Sequence, residues 1–245
     1  MLVQADAAAV AAQVADRLLE ACRQGRPLGL ATGRTMEPVY AALAQRWAAL
    51  PPGERAHLAS GWCSFNLDDY VGLVPGDPRS FRAFMDQQLT RPLGLDPAQV
   101  RLPDGTAVNP EAEAACYAAE LSTAGGVGLQ LLGLGLNGHV GFNEPPCGPD
   151  ARCRCLELSA ATRQQNAGAF GGDPEAVPER AITLGLAEIL EAEQILLVVT
   201  GASKARILGR VLEEAPSPEL PASWLQSHPA VTVIADRQAA PWLQA

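Results

Sequence analysis

LQLLGLGLNGHVGFNEP, residues 129–145, joins a short apolar run to a glycine-rich turn that carries polar side chains. The run Leu129–Leu134 has the length and composition of a strand that is buried on both faces. The polar residues of the turn are Asn137, His139, Asn143 and Glu144. Glycine allows positive φ and close approach of a ligand to the backbone, and open parallel sheets bind ligands beyond the carboxyl ends of their strands. The stretch therefore predicts an α/β fold with a site at that edge of the sheet.

Two other interpretations of this stretch compete with a functional turn. Gly133, Gly135 and Gly138 match the G-x-G-x-x-G spacing of a dinucleotide-binding turn, which requires a helix to begin inside the motif. The residues that follow are rich in proline and glycine, so we expect neither a helix nor a nucleotide site. A connector without function is the other alternative, but it does not explain why one of only three histidines lies here. From this stretch alone, structural and catalytic roles for His139 both stay open.

The composition is that of a folded, acidic protein. Of 245 residues, 48% are hydrophobic and 18% are charged, which argues against intrinsic disorder and allows a substantial core. The 27 acidic and 18 basic residues give a formal net charge of −9, and no run of basic residues stands out, so nucleic-acid binding is not expected. An anion would have to be bound by a local positive field from helix N-termini and a few placed cations.

Neither the N-terminus nor the cysteines point to export or to a metal. The N-terminal stretch lacks a basic region and carries acidic residues within its apolar part, which is typical of a helix and not of a signal peptide. No run of about 18 apolar residues predicts a membrane span. Cys147, Cys153 and Cys155 cluster, but their spacing matches no common zinc pattern. We therefore expect a cytoplasmic protein with free thiols, without a metal or another cofactor.

Helical and strand-like patterns alternate along the chain, which indicates parallel βαβ units. No repeat or linker divides the sequence, so we predict a single domain over residues 1–245, a Rossmann-like three-layer sandwich with a mainly parallel sheet. Strands are predicted at 27–31, 57–65, 100–102, 129–134, 154–158, 195–200 and 231–235. Helices are predicted at 5–24, 37–49, 110–124, 160–170, from the turn at 201–204 to about 214, and through Leu89 after Ser80 as the N-cap. The apolar segment 182–190 stays ambiguous.

Two strand-to-helix turns are candidate anion sites. The first, Thr32-Gly33-Arg34-Thr35, combines exposed backbone amides with two hydroxyls and a guanidinium. It lacks the lysine and the spacing of a P-loop, so a nucleoside triphosphatase is not indicated. The second, Gly201-Ala202-Ser203-Lys204, repeats the design with Lys204 as a point charge. Each turn alone could be an ordinary capped helix, but two such turns in one acidic chain favour a phosphate ligand.

Asp68 and Asp69 follow an apolar predicted strand, which places one or both at the same carboxyl edge as His139. A carboxylate at that edge can act as a general base if its surroundings adjust its pKa and hold it within reach of a substrate proton. A helix cap or a solvated turn explains the pair equally well, so its role stays open at this point.

Together these motifs resemble the glucosamine-6-phosphate deaminase family, in the right order and over nearly the whole chain. The segments that carry the resemblance are GLATGRTMEPVYAAL at 29–43, FNLDDYVGL at 65–73, LLGLGLNGHVGFNEP at 131–145, VTGASKA at 199–205 and PASWLQSHPAVTVIAD at 221–236. The related 6-phosphogluconolactonases share the fold and the Gly-His turn. They differ in the Phe-Asn-Glu-Pro that follows the histidine and in the acidic segment Asp-Asp-Tyr-Val-Gly.

The resemblance implies a cofactor-free conversion of glucosamine 6-phosphate to fructose 6-phosphate and ammonia. Asp68 matches the base that moves a proton between C2 and C1 of the opened sugar. His139 matches the group that opens the pyranose ring, and Glu144 and Asn137 match the residues that orient it. The phosphate-binding segments correspond to Thr32, Gly33, Arg34, Thr35 and Lys204. The implied partner is a phosphosugar, with no nucleic acid or membrane, and a homo-oligomer stays open.

Three positions depart from the family pattern. Asn137 stands where some members have aspartate, and an amide can hold His139 by a hydrogen bond but cannot stabilise an imidazolium by charge. Gly168 stands where the family commonly has a phosphate-binding arginine, and we expect Arg34 to supply that cation. Leu156 falls where allosteric members carry an activator-binding lysine, so we predict no activation by N-acetylglucosamine 6-phosphate.

Other functions for the same motifs stay open. The nearest are a 6-phosphogluconolactonase and an isomerase of another phosphosugar, such as galactosamine 6-phosphate. A non-catalytic sugar-phosphate sensor is a further alternative, but sensors with similar folds carry a basic DNA-binding segment that this sequence lacks. The presence of Asp68, His139 and Glu144 favours an enzyme.

Overall fold

The computed structural model describes residues 1–243, which contain ten strands and nine α-helices. The strands are β1 (Leu2–Gln4), β2 (Leu28–Leu30), β3 (Ser64–Asn66), β4 (Asp68–Tyr70), β5 (Val100–Arg101), β6 (Leu129–Gly133), β7 (Arg154–Glu157), β8 (Arg180–Thr183), β9 (Gln194–Val199) and β10 (Val231–Asp236). The helices are α1 (Ala7–Arg23), α2 (Glu37–Ala49), α3 (Pro52–Ser60), α4 (Phe81–Met85), α5 (Arg91–Leu93), α6 (Pro110–Thr123), α7 (Ala160–Asn166), α8 (Leu186–Leu190) and α9 (Ala205–Glu213). None of these helices is long and apolar enough to cross a membrane.

Seven strands form one sheet in the order β1-β10-β9-β6-β2-β3-β5, and every pairing in it is parallel. The other three strands form a small antiparallel sheet in the order β4-β8-β7. Parallel neighbours need a crossover connection, and helices provide most of them here. The prediction of an α/β fold with a mainly parallel sheet is confirmed.

Helices cover both faces of the parallel sheet and complete the three layers. On one face α1 packs against α2, and the rings of Trp47 of α2 and Trp62 meet edge to face. On the other face, Tyr117 of α6 packs on Phe65 of β3. The central strands are therefore buried on both sides, which is why β9 and most of β6 read as continuous apolar runs.

The sheet brings every predicted site segment to one edge. The strands β9, β6, β2 and β3 are consecutive neighbours at its centre, and they are parallel, so their carboxyl ends lie side by side. β2 leads into the turn 32–35, β3 leads to Asp68, β6 leads into the loop of His139, and β9 leads to Lys204. A site at the carboxyl edge therefore follows from strand order alone.

The predicted strand at 57–65 is wrong for most of its length. Residues Pro52–Ser60 form α3, and β3 begins only at Ser64. Pro52 lies in the first turn of that helix, where the amide hydrogen that proline lacks would have no partner within the helix. The strand itself is short and carries the buried polar residues Ser64 and Asn66, so an apolar pattern could not mark it.

Three smaller differences concern the edges of the molecule. The N-terminal strand β1, which pairs with β10, was not predicted. The predicted strand at 154–158 exists as β7 but belongs to the small antiparallel sheet. The ambiguous segment 182–190 divides into the end of β8 and α8.

Candidate active site

The loop after β6 packs the imidazole of His139 against backbone positions at which only glycine fits. At Gly135, a Cβ would come within 2.4 Å of three ring atoms of His139. Gly138 has a φ of 85°, and a Cβ there would lie 2.4 Å from Leu220. The loop also closes on itself, because the amide of Gly135 donates to the carbonyl of His139 at 2.9 Å. These glycines therefore serve to place the imidazole.

The glycine spacing does not mark a nucleotide site. Residues 134–153 contain no helix, so this turn offers no helix N-terminus to a pyrophosphate. The dinucleotide interpretation of Gly133, Gly135 and Gly138 is thereby excluded.

Asn137 fixes the orientation of the imidazole. Its side-chain oxygen lies 2.6 Å from Nδ1 of His139 and also accepts from the backbone amide of His139 at 3.3 Å. Because an amide oxygen can only accept, Nδ1 carries the hydrogen in this pair. Nε2 of the neutral ring keeps its lone pair and can take a proton from a ligand.

Within the described residues, Glu144 forms its side-chain hydrogen bonds with residues other than His139. Its carboxylate accepts from the amide and the hydroxyl of Ser159, at 3.2 and 3.1 Å, and from the hydroxyl of Thr162. Burial lowers the pKa of His139, the charge of Glu144 opposes that shift, and the charge of Lys204 adds to it. Glu144 thus acts on the imidazole through its charge and not through a hydrogen bond.

Asn143, the other polar residue of the loop, is a structural residue. It is fully buried, and its amide nitrogen donates to the carbonyls of Val140 and Leu184, at 3.0 and 2.9 Å. Its side-chain oxygen accepts from Arg154 at 3.0 Å. These bonds tie the histidine loop to the small antiparallel sheet.

Cys147, in the segment that follows, is part of the packing around Asn143. The sulfur of Cys147 lies 3.8 Å from the side-chain oxygen of Asn143, and all six cysteines are free. Within residues 1–243, no three histidine, cysteine, aspartate or glutamate side chains come together as a candidate metal site.

The two aspartates of the acidic pair have different surroundings. Both lie on β4 of the small sheet and not in a turn. Asp69 accepts backbone hydrogen bonds from Tyr70, Phe81 and Arg82, at 2.8 to 3.1 Å, and so holds the start of α4. Asp68 accepts none from the part of the chain that is described, and burial, together with the charge of Asp69, raises its pKa to about 8. Asp68 is the carboxyl group of the pair that is free to react with a ligand.

Asp68 meets the histidine loop at Gly141. A Cβ at Gly141 would lie 3.5 Å from Oδ2 of Asp68 and 3.2 Å from the hydroxyl of Thr183. Asp68 and Thr183 are directly opposite each other in β4 and β8, so their side chains share one face of the small sheet. Gly141 is two residues after His139. The buried carboxyl group and the imidazole loop are therefore neighbours, although they belong to different sheets.

The turn after β2 has the features of an anion site. Gly33 has a φ of 102°, and its carbonyl accepts from the amide of Met36 at 2.8 Å, which closes the turn just before α2. Thr32 and Thr35 flank this turn half-buried. Arg34 is exposed and has no acidic partner within residues 1–243.

Lys204 is the only lysine of the chain. It lies half-buried after the turn at Gly201, whose amide donates to both carboxylate oxygens of Asp236 at 3.0 and 3.1 Å. Burial lowers the pKa of Lys204, and the positive charge of Arg34 lowers it further. Two cations that act on each other without an acidic partner among the described residues indicate a site for an anion.

The segment around Gly168 adds no third cation to the pair formed by Arg34 and Lys204. Gly168 is exposed, and a Cβ there would meet nothing within 4 Å. The nearby guanidinium of Arg163 donates to the carbonyl of Pro174 at 3.2 Å and to the carboxylate of Glu175 at 3.1 Å. Arg34 is the guanidinium whose charge acts on Lys204.

Three supporting residues were not predicted. Ser159 and Thr162 hold Glu144, and Asp236 holds the turn before Lys204. A serine directly before a predicted helix is a common N-cap, so Ser159 was recognisable as a structural signal. The fact that Lys204 is the only lysine was a second signal, and it points to the phosphate turn itself.

Known sequences of one family are similar to this chain over most of its length. A family model described as glucosamine-6-phosphate isomerases/6-phosphogluconolactonase matches residues 3–234. A glucosamine-6-phosphate deaminase of Rhodopirellula baltica is 43% identical, over 96% of this chain and 92% of its own length. Glucosamine-6-phosphate deaminase 2 of Bacillus subtilis is 42% identical, over 87% of this chain and 84% of its own.

Solved structures extend the comparison to the fold. A monomeric glucosamine-6-phosphate deaminase superposes with a TM-score of 0.90 at 33% identity, and the match covers 98% of each chain. The 6-phosphogluconolactonase of Trypanosoma cruzi, at 19% identity and a TM-score of 0.77 over 100% of this chain and 96% of its own, shares the fold alone. The chain belongs to the glucosamine-6-phosphate isomerase/6-phosphogluconolactonase family.

Proposed function

We propose that the chain is an enzyme that converts glucosamine 6-phosphate and water to fructose 6-phosphate and ammonia. The observation that carries this proposal is the proximity of buried Asp68 to Gly141 in the loop of His139, at the sheet edge that also presents Arg34 and Lys204. An acid–base pair beside an anion anchor is what isomerisation of a phosphorylated sugar requires. Relatives with 40–43% identity bear the name glucosamine-6-phosphate deaminase.

In this proposal His139 opens the sugar ring. Its Nε2 accepts the proton of the anomeric hydroxyl and returns a proton to the ring oxygen, which gives the open-chain aldehyde. Nδ1 stays bonded to Asn137 during the transfer, so the ring keeps its orientation. Burial lowers the pKa of His139, so the imidazole is neutral near pH 7 and ready to accept, and the charge of Glu144 stabilises the imidazolium that forms.

Asp68 then moves a proton along the sugar. It takes the hydrogen from C2 and delivers it to C1, which turns the amine-bearing carbon into an imine. Water adds to that carbon and ammonia leaves, so that the ketone of fructose 6-phosphate remains. A carboxyl group with a pKa of about 8 is a stronger base than an exposed aspartate, and it can also return the proton it has taken.

The phosphate group holds the sugar at the other end of the site. We assign its binding to the turns 32–35 and 201–204, with Arg34 and Lys204 as the charged partners. Backbone amides at the start of a helix suit a dianion, and two cations without acidic partners add the local field that an acidic protein otherwise lacks. Arg34 takes the place of the arginine that the family commonly has at position 168.

A lactonase is the competing enzyme on this fold. Hydrolysis of 6-phosphogluconolactone needs an activated water but no base that moves a proton between two carbons. The buried carboxyl group of Asp68, which no hydrogen bond from the described residues occupies, therefore favours the deaminase. Galactosamine 6-phosphate needs the same chemistry as glucosamine 6-phosphate, so it is the alternative substrate to test.

The proposal is tested by measuring ammonia and fructose 6-phosphate with purified protein. We expect both products in equal amounts from glucosamine 6-phosphate, and galactosamine 6-phosphate is assayed in parallel as the alternative substrate. Asp68→Asn should abolish turnover and still bind the substrate. Hydrolysis of 6-phosphogluconolactone without ammonia release from either amino sugar would identify a lactonase, and binding without any turnover would identify a sensor.

We also propose that one copy of the chain forms a complete site that needs no activator. All residues assigned above come from a single chain, and one solved relative is described as monomeric. Leu156, at the position where allosteric members have lysine, packs against the apolar cluster of Tyr70 and Phe170. Hyperbolic kinetics that N-acetylglucosamine 6-phosphate does not change are expected. A phosphorylated sugar as substrate fits a cytoplasmic location, which cell fractionation would test.

A further inference from the structure

Glu144 is held by a helix turn to which the reaction above assigns no role. Its Oε1 accepts from the hydroxyls of Ser159 and Thr162, and its Oε2 accepts from the amide of Ser159. The hydroxyl of Ser159 also accepts from the amide of Thr162 at 3.2 Å, as the N-cap of α7. A carboxylate with three donors from one turn is restricted to one position, and such charge-assisted hydrogen bonds are the strong ones.

The hydroxyl of Thr162 has a specific partner. The residue is only 3% exposed, and a buried hydroxyl needs an acceptor, which here is Glu144. The same chain segment reaches the site again at its other end. There, Phe170 packs edge to face on Tyr70, at 5.7 Å between ring centroids, two residues after Asp68. Residues 159–170 therefore contact both the imidazole partner and the strand of the base.

On the basis of the proposed function, we propose that Ser159 and Thr162 are positioning residues that hold the carboxylate of Glu144 in one place in the histidine loop. Neither residue is assigned a contact with reacting atoms, so each acts through the carboxylate of Glu144. Loss of a hydroxyl releases that carboxylate and weakens the stabilisation of the imidazolium formed during ring opening. Binding of the phosphate group at Lys204 does not depend on this turn.

The effect has a direction that can be measured on the imidazole itself. The two charged groups that act on His139 are Glu144, which raises its pKa, and Lys204, which lowers it. If Glu144 moves away, burial and Lys204 act without opposition, and the pKa of His139 falls. A purely structural role for Thr162 would change the stability of the fold but not this pKa.

The experiment is an NMR titration of the histidines. The chain has three, and the signal of His139 is identified by its absence in His139→Gln. Thr162→Val removes the hydroxyl at nearly constant shape, and Thr162→Ser keeps it. We expect the pKa of His139 to fall in Thr162→Val, in the same direction as in Glu144→Gln, and to stay at the wild-type value in Thr162→Ser. In parallel, kcat should fall by about 10- to 100-fold in Thr162→Val with KM nearly unchanged.

A double-mutant cycle shows whether the effect passes through Glu144. In the Glu144→Gln background, Thr162→Val should cause no further shift. An unchanged titration of His139 in Thr162→Val, or an equal shift in both backgrounds, would overturn the proposal. If Thr162→Val does not fold, Ser159→Ala at an exposed position makes the same test. The titration does not require turnover. If the protein released no ammonia from any amino sugar, the proposed function would be refuted, but the effect of Thr162 on the pKa of His139 could still be measured.

Discussion

Replacing Asp68 by asparagine is expected to abolish turnover and, at alkaline pH, to make the fold more resistant to unfolding. The carboxyl group is buried, and burial raises its pKa from 3.8 to about 8. Its ionised form is therefore unfavourable in the native state, and that cost is the counterpart of its strength as a base. Asparagine has a similar shape but no proton to lose, so it removes the base and the cost together.

The magnitude follows from linkage between protonation and folding. Because the native pKa is raised, Asp68 contributes stability that is present at low pH and is lost as the pH rises through about 8. Between pH 6 and pH 8 the unfolded chain has already released this proton, so the wild-type protein loses about 1.4 kcal/mol per pH unit. Over the interval from pH 6 to pH 9, the loss sums to about 3 kcal/mol. Asp68→Asn should not show this loss.

The assay is urea unfolding of both proteins at several pH values between 6 and 9. The quantity to compare is the difference between the free energies of unfolding of the two proteins. Both proteins contain the same buried thiols, so the contribution of thiol titration cancels in this difference. Asp173→Asn is the matched control, because Asp173 is an exposed helix cap and asparagine caps equally well, so it should follow the wild type. Equal pH dependence of wild type and Asp68→Asn would refute the reasoning, since Asp68 would then be ionised throughout.

Four further substitutions test the other parts of the site. Asn137→Asp places a charge 2.6 Å from Nδ1 of His139, so the pKa of His139 should rise in an NMR titration, and an unchanged value would contradict the assigned contact. Gly135→Ala puts a Cβ within 2.4 Å of the His139 ring, so kcat should fall about 100-fold with an unchanged circular dichroism spectrum. Lys204→Ala should raise KM for glucosamine 6-phosphate about 100-fold and Arg34→Ala about 10-fold, since the lysine is half-buried and the arginine exposed. An unchanged KM in Arg34→Ala would show that Arg34 does not replace the missing arginine.

The edge of the sheet that carries the site could be predicted because it depends on few facts. The apolar runs of β6 and β9 identify parallel strands that are buried on both faces, and parallel neighbours end at the same edge. The turns 32–35 and 201–204 follow such strands directly, so their place at the site needed no knowledge of tertiary contacts. The family resemblance, which the comparisons confirm, includes these two turns among the five segments that carry it.

The surroundings of Asp68 could not be predicted from local sequence. Asp-Asp-Tyr has no apolar alternation, and β4 is a strand only because it pairs with β8, which lies far along the chain. The helix at Pro52–Ser60 was missed for a related reason. Leu58 is the only buried residue of this helix, so no helical stripe of apolar residues marks it.

The division of hydrogen-bond donors between two adjacent aspartates explains how a carboxyl group becomes a base at this site. A carboxylate in a solvated turn would keep a pKa near 3.8 and would be a weak base for a carbon-bound proton. The backbone amide of Tyr70 in β4 and the free amides of Phe81 and Arg82 at the start of α4 all donate to Asp69. Asp68 is left buried without a donor and next to a like charge, and these are the two conditions that raise a carboxyl pKa. Asp69 thus contributes to the proposed reaction although it stays bonded to the backbone, because its charge adds to the effect of burial in raising the pKa of Asp68.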